Sequence, residues 1–122
     1  MSQLAQQPIE QQLKHLNPII DDVIRAYNLA NYSLLWRYLS PPLEKTNRQQ
    51  HFILEQQRLE ERFGTIAGYE HLELIQEENA WRGKWLLKSQ DDSQTLVLAI
   101  VFIEIKEFIA IDSYQFDKDQ SS

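Results

Sequence analysis

Hydrophobic residues follow a helical spacing in the first half of the chain and a shorter period in the second half. Up to about residue 63, apolar positions recur every three or four residues, as they do along the buried face of an amphipathic helix. After Gly68 the apolar residues alternate or run together, which is typical of strands. The pattern therefore predicts helices first and a sheet after them.

Helices are predicted over residues 8–16, 18–30, 32–39 and 46–63. Pro18 is expected to separate the first two, because proline inside a helix removes a hydrogen bond and clashes with the preceding turn. Asn17 and Asn31 are candidate N-caps, Pro41-Pro42 should stop the third helix, and Gly64 the fourth. The last helix should bury Phe52, Leu59 and Phe63. Its polar side is expected to face solvent (Gln49, Gln50, Glu55, Gln56, Arg58 and Glu61).

Strands are predicted over residues 69–76, 80–88, 94–105 and 108–116. The third should be central, because nine of its twelve residues are apolar, as in a strand covered on both faces. Connections this short require antiparallel neighbours. In the second strand, alternation separates an apolar face (Trp81, Gly83, Trp85 and Leu87) from a basic one (Arg82, Lys84 and Lys88).

The predicted fold class is α+β, with N-terminal helices packed on a curved antiparallel sheet of about four strands. The length of 122 residues and a hydrophobic content of 43% fit one domain over 1–122. Within it we expect a peripheral segment at 1–16, a core at 17–116 and a disordered tail at 117–122.

Charge and composition exclude several classes of function. The net charge of −6, without clustered Lys or Arg, argues against nucleic acid as a partner. The chain has no cysteine, which removes disulfides and thiolate chemistry. Phosphate-binding loops and nucleophile motifs are absent, so no cofactor is expected. With neither a secretory signal nor an apolar run long enough for a bilayer, we expect a cytoplasmic protein without a membrane partner.

A family resemblance rests on five features of the sequence. They are the helical pattern Ile20, Val23, Ile24, Tyr27; the polar step at 28–32; the short helix ending at Pro41-Pro42; the helix ending Phe63-Gly64; and the long strands from Tyr69 onward. Over residues 19–116 this order resembles the nuclear transport factor 2-like (cystatin-like) superfamily.

The resemblance implies a cone with a pocket between the helices and the concave sheet, and commonly a homodimer through the sheet's outer face. The superfamily includes isomerases, dehydratases, ligand binders and association domains, so fold does not choose among them. No catalytic motif of the superfamily aligns with this chain, and no catalytic residue is carried over.

Asp112 is the first candidate for chemistry. Strict alternation places it on a largely apolar strand face with Phe108, Ala110, Tyr114 and Phe116. A buried carboxylate has a raised pKa and can act as a general acid or base. The structural alternative is that Asp112 is exposed or pairs with Arg82 or Lys84 on a neighbouring strand.

His71 and Glu73 are the second candidate, because alternation puts an imidazole and a carboxylate on one strand face beside Tyr69. A metal site needs three or four converging ligands, so no metal is predicted there. His15 and His51 lie on predicted helices and are interpreted as surface residues.

Aromatic residues could line an apolar pocket equipped with hydroxyl and indole donors. The predicted ligand-binding set is Tyr27, Trp36, Trp81, Trp85 and Tyr114, and Tyr32 and Tyr38 have the same character. These residue types also suit a filled core or a dimer face, which is the favoured interpretation.

Three hypotheses of function follow. The leading one is a non-enzymatic homodimeric module that binds a small apolar ligand or a protein partner. The alternative is a cofactor-free isomerase or dehydratase with Asp112 as base and Tyr27, Tyr32 or His71 as hydrogen-bond donor. The third is an association module for a larger complex.

Overall fold

Helices precede a four-stranded antiparallel sheet in residues 7–91 and 93–118, which are the residues that the computed structural model describes. The helices are α1 (Ile9–Leu29), α2 (Tyr32–Trp36), α3 (Pro41–Thr46) and α4 (Gln49–Arg62). The strands are β1 (Ile66–Gln76), β2 (Ala80–Ser89), β3 (Thr95–Ile105) and β4 (Phe108–Lys118). They pair in the order β1-β2-β3-β4, which confirms the predicted α+β class.

Helix α1 is continuous, so the predicted break at Pro18 is wrong. Pro18 lies inside the helix, while Leu16, Ile19 and Ile20 on either side of it are buried along one face. Packing of that continuous face outweighs the hydrogen bond that proline removes. Asn17 is therefore not an N-cap, and its side chain points to the sheet instead.

The region between α1 and α4 contains one more helix than predicted. Asn31 caps α2 as expected, because its side chain accepts a hydrogen bond from the Ser33 amide at 3.2 Å. Pro41-Pro42 begins α3 instead of only ending the helix before it, with Ser40 as N-cap. Proline suits the first helical turn, where its missing amide has no partner to lose. The last helix consequently starts at Gln49 and not at Thr46.

Strand β2 keeps the predicted alternation, whereas β1 contains two irregularities and β4 contains one. In β1 one register shift lies between His71 and Glu73. In β4 the shift falls at Asp112, because Val101 pairs with Ser113 and the next residue of β3, Phe102, pairs with Ile111. An extra residue in one strand moves every side chain beyond it to the other face. These two shifts fall on residues that the sequence marks as candidates for chemistry.

The core lies between α1 and the inner face of the sheet. Trp81 and Trp85 are 1% and 0% exposed, and their indole nitrogens donate to Gln12 Oε1 at 3.0 Å and Asn17 Oδ1 at 3.1 Å. Two polar residues of α1 thus satisfy the donors of the largest buried rings. Gln12 and Leu16 belong to this core although they fall in the segment predicted to be peripheral.

The ends of the described chain differ from the prediction in one respect. Strand β4 extends to Lys118, so residues 117 and 118 belong to the sheet and not to the predicted tail. Residues 119–122 of that tail, and residues 1–6, lie outside the described residues. Within the described ranges, no helix combines the length and apolar character that a membrane span requires.

Candidate functional site

A chain of polar contacts connects α1, α4 and β4 at one end of the core. The Tyr27 hydroxyl donates to Glu55 Oε1 and lies 2.7 Å from the Tyr114 hydroxyl, which accepts from Asn47 Nδ2 at 2.9 Å. Because Tyr27 uses its proton on Glu55, Tyr114 must be the donor between the two hydroxyls. The hydrogen bonds therefore run in one direction, from Asn47 through Tyr114 and Tyr27 to Glu55. We call these four residues the tyrosine network.

Aromatic rings pack closely around Tyr27 of the tyrosine network. Tyr27 is 2% exposed, and its ring lies 4.9 Å from the rings of both Phe52 and Phe116. Burial raises the pKa of the Tyr27 hydroxyl far above its ordinary value, and burial likewise raises the pKa of Tyr114. Both hydroxyls are therefore neutral hydrogen-bond donors at physiological pH. Tyr114 donates to Tyr27, and Tyr27 donates to the Glu55 carboxylate.

Glu55 and its neighbour Gln56 were both predicted to face solvent. The prediction is wrong for Gln56 and holds only in part for Glu55. Glu55 is half-buried, and Gln56 is buried with its side-chain amide donating to the Tyr27 carbonyl at 3.1 Å. Sequence alone does not distinguish a buried polar side chain from an exposed one, because its hydrogen-bond partner lies on another element of the fold. The one available signal was position, because Glu55 lies one helical turn before Leu59 on the buried edge of α4.

An open cleft of about 510 Å³ lies beside the tyrosine network, between α4 and the adjoining ends of β3 and β4. Its floor is apolar and its rim carries cations. The lining residues used below are Glu55, Arg58, Leu59, Arg62, Phe63, Leu96, Phe116 and Lys118. We call this feature the α4 cleft.

Asp112 does not occupy the environment that alternation predicts. Because of the irregularity in β4, Asp112 has no partner on β3. Tyr114 and Phe116 pair with inward-facing residues of β3, whereas Phe108 and Ala110 pair with outward-facing residues. The Asp112 carboxylate accepts from the Ser40 hydroxyl at 2.9 Å. It thereby ties the N-cap of α3 to the edge of the sheet, which is a structural contact.

The alternative prediction that Asp112 pairs with Arg82 or Lys84 is also wrong. Arg82 pairs with Glu77 at 3.1 Å, and Lys84 approaches Glu73 at 3.8 Å on the outer face of the sheet.

His71 and Glu73 lie on opposite faces of β1, so the predicted pair does not form. The register shift pairs His71 with the inward-facing Trp85 and Glu73 with the outward-facing Lys84. The His71 ring packs against Trp85 at 5.3 Å, and its buried Nε2 has no hydrogen-bond partner among the described residues. No three His, Asp or Glu side chains in the described part of the chain are grouped to hold a metal ion. His15 and His51 are exposed.

The five aromatic residues predicted to bind a ligand lie in three different places. Tyr27 and Tyr114 meet in the tyrosine network, and Trp81 and Trp85 fill the core. Trp36 is 48% exposed and donates to Glu44 Oε1 at 3.2 Å, at the edge of a separate surface cleft.

The outer face of the sheet carries a second surface feature. Its centre is formed by apolar side chains that are partly exposed on β2 and β3 (Leu86, Val97, Ala99, Val101 and Ile103). We call these five residues the outer strip. On one side the strip borders cross-strand ion pairs such as Lys88–Glu70 at 3.7 Å, and on the other the exposed Ser113 and Gln115 of β4.

Comparison with known proteins identifies similar folds at very low sequence identity. No protein-family model and no curated protein matches the chain. The solution structure of a SEC-C motif containing protein from Rhodopseudomonas palustris is 8% identical, with a TM-score of 0.59 over 80% of this chain and 74% of that one. The crystal structure of a DUF4783 family protein from Bacteroides ovatus is 11% identical, with a TM-score of 0.55 over 82% of this chain and 94% of that one.

A crystal structure of an NTF-2 like protein of unknown function from Burkholderia xenovorans is 9% identical over 89% of this chain and 88% of that one, with a TM-score of 0.46. The first two likenesses show a shared α+β fold alone. Membership of the nuclear transport factor 2-like superfamily therefore stays a prediction from the sequence.

Proposed function

We propose that the protein is a homodimeric binding module. Two copies pair through the outer strip, and each copy keeps its α4 cleft open for a small ligand. The observation that carries the proposal is the apolar character of the outer strip on a face that the chain's own helices leave partly exposed.

An antiparallel sheet with one face in water normally alternates apolar and polar residues. Strand β3 departs from that rule, because its outward residues from Val97 to Ile103 are all apolar and half-buried. Neighbouring strands supply the polar surround, with Arg82 and Lys84 on β2 and Gln115 on β4. An apolar centre with a polar rim is the usual anatomy of a protein–protein interface. A face with this composition is suited to bind a second copy of the chain.

Light scattering on the purified protein tests the dimer. We expect the wild type to be a dimer at tens of micromolar and Val101→Glu to be a monomer with unchanged far-UV circular dichroism. The glutamate lies beside Arg82 and is tolerated in the monomer, but the dimer would bury it. Gln50→Glu, an exposed position on α4 with the same charge change, should stay dimeric. A monomeric wild type would contradict the proposal.

A second candidate function is a cofactor-free isomerase or dehydratase. It is favoured by one observation, namely that Glu55 lines the α4 cleft while bonded to the neutral hydroxyl of Tyr27. A cleft-lining carboxylate that a neutral hydroxyl holds in place can act as the general base that removes a proton next to a carbonyl group. In this hypothesis Glu55 takes the role that the sequence suggested for Asp112.

Deuterium exchange tests the second candidate. Small carbonyl compounds incubated with the protein in D₂O should exchange the hydrogen next to the carbonyl faster than in buffer, as followed by NMR. Glu55→Gln should abolish the acceleration and Asp112→Asn should leave it in place. Equal exchange with and without the protein would remove this candidate.

A further inference from the structure

The residues of the α4 cleft specify the chemistry of its ligand. We propose that the cleft binds an amphipathic carboxylate, with the anionic head at the cationic rim and the apolar tail on the floor. This inference rests on the binding role proposed above for the same cleft, and it names the class of ligand.

One edge of α4 supplies half of the cleft. Glu55, Arg58, Leu59, Arg62 and Phe63 recur at intervals of three and four residues, so they lie along one side of the helix. Leu59 and Phe63 turn toward the core, and Phe63 is 6% exposed. The arginines beside them remain exposed. The helix therefore contributes both an apolar floor and a cationic border.

The sheet supplies the other half. Leu96 of β3 pairs with Lys118 of β4, and Leu98 pairs with Phe116, so the side chains of Phe116 and Lys118 share the inner face that α4 borders. Lys118 is thus an inward-facing cation at the open end of the sheet. It lines the same cleft as Arg58 and Arg62.

These three cations have no close anionic partner among the described residues. Arg58, Arg62 and Lys118 form no ion pair with any residue in 7–91 or 93–118, whereas Arg37, for example, reaches Asp22 at 2.7 Å. The last turn of a helix favours a cation, which accounts for Arg62. It does not account for Lys118. Arg58 has Glu55 and Glu61 three residues away on the helix, but it also lies four residues from Arg62, and these two like charges repel each other. A bound anion would relieve that repulsion.

Shape and charge together select an amphipathic carboxylate. A cleft of about 510 Å³ lies in the range of about 300 to 1,000 Å³ that small-molecule sites occupy. The guanidinium fork matches the planar carboxylate group, and its hydrogen bonds to that group are charge-assisted. The floor of Leu59, Phe63, Leu96 and Phe116 requires an apolar tail. Glu55 repels a second anionic group, so the ligand should carry one charge.

Calorimetric titration with dodecanoate, below its micelle concentration, tests the inference on the intact protein. We expect saturable binding, with dodecanol about tenfold weaker or more, since it lacks the charge-assisted bonds. Butyrate, which keeps the head without the tail, should bind too weakly to detect. The double variant R58Q/R62Q should also bind dodecanoate about tenfold more weakly or worse.

The control is K14Q/K45Q, which removes the same charge from exposed positions outside the cleft and should bind like the wild type. No binding of dodecanoate, or binding that R58Q/R62Q leaves unchanged, would overturn the inference. Light scattering on the same samples reports the dimer separately, so the ligand class can fail while the homodimer stands.

Discussion

The two faces of the sheet bury apolar side chains to very different degrees, even within one strand. On the inner face of β3, Leu98, Ile100 and Phe102 are 0 to 2% exposed. On the outer face of the same strand, Val97 and Val101 remain partly exposed. Their sequence character is alike, so the difference comes from what covers them. The inner face is completed by α1, whereas the chain's own helices leave the outer face partly exposed.

Polar side chains also have different partners on the two faces of the sheet. On the inner side, Gln12 and Asn17 satisfy the two buried indoles. On the outer side, exposed pairs such as Lys84–Glu73 and Lys88–Glu70 connect neighbouring strands. Exposed ion pairs contribute about 0 to 1 kcal/mol each. Stability of the monomer should therefore depend on the inner face, and the outer face should respond mainly to association.

The largest expected effect is at the centre of the inner face. Trp85→Ala should lower the free energy of unfolding by about 3 to 5 kcal/mol, because it leaves a cavity and removes the partner of Asn17. Val101→Ala on the outer face should cost less than about 1 kcal/mol in the monomer. Urea unfolding at low protein concentration measures both. Equal losses would contradict the proposed difference between the faces.

A second test concerns the close approach of Trp85 to the backbone of β2. The ring of Trp85 lies over Gly83, so that a Cβ placed there would lie 2.6 Å from Trp85 Cη2. Gly83→Ala should therefore destabilise the protein by about 1 to 3 kcal/mol through overpacking. The matched control is Gly68→Ala on β1, where an added Cβ meets no atom within 4 Å. Loss of stability in both variants alike would mean that backbone propensity, not the ring, sets the requirement.

The smallest expected effect is the pH dependence that Tyr114 of the tyrosine network gives to stability, and that dependence shows only in alkali. Burial raises the folded-state pKa of Tyr114 above its unfolded value of about 10, so the folded protein keeps a proton that the unfolded chain loses. This contribution is present in full below about pH 10 and is lost as the pH rises. Tyr114→Phe should flatten the decline in unfolding free energy, by half of about 1.4 kcal/mol per pH unit at pH 10 and by nearly all of it at pH 11. Parallel slopes, measured by urea unfolding between about pH 10 and 11, would show that Tyr114 ionises equally in both states.

Sequence pattern predicted the fold class and the inner strands well. The alternation of Trp81, Gly83, Trp85 and Leu87 holds in β2 because that strand has no irregularity. The C-terminal stop at Gly64 is also confirmed, since its φ of 85° is readily adopted only by glycine.

The same alternation failed where an extra residue shifts the register. Leu72 separates His71 from Glu73, and Asp112 itself is the unpaired residue of β4. No local signal marks either position, because such irregularities arise from strand pairing and curvature. The sequence therefore named candidate residues correctly as strand residues but grouped them on the wrong faces.

Tertiary contact explains what the helical pattern missed. Pro18 was interpreted as a break, yet packing of α1 on the sheet keeps the helix continuous. Glu55 was assigned to solvent, yet Tyr27 lies across from it. Both depend on residues far away in sequence, which periodicity within one element cannot report.

The concentration dependence of stability tests most directly whether the outer strip joins two copies. We predict that the urea midpoint of the wild type rises with protein concentration, because association stabilises the folded state by mass action. In Val101→Glu the midpoint should be independent of concentration and should match the wild type at the lowest concentration. A wild-type midpoint that does not change with concentration, in a protein that is monomeric throughout, would contradict the account.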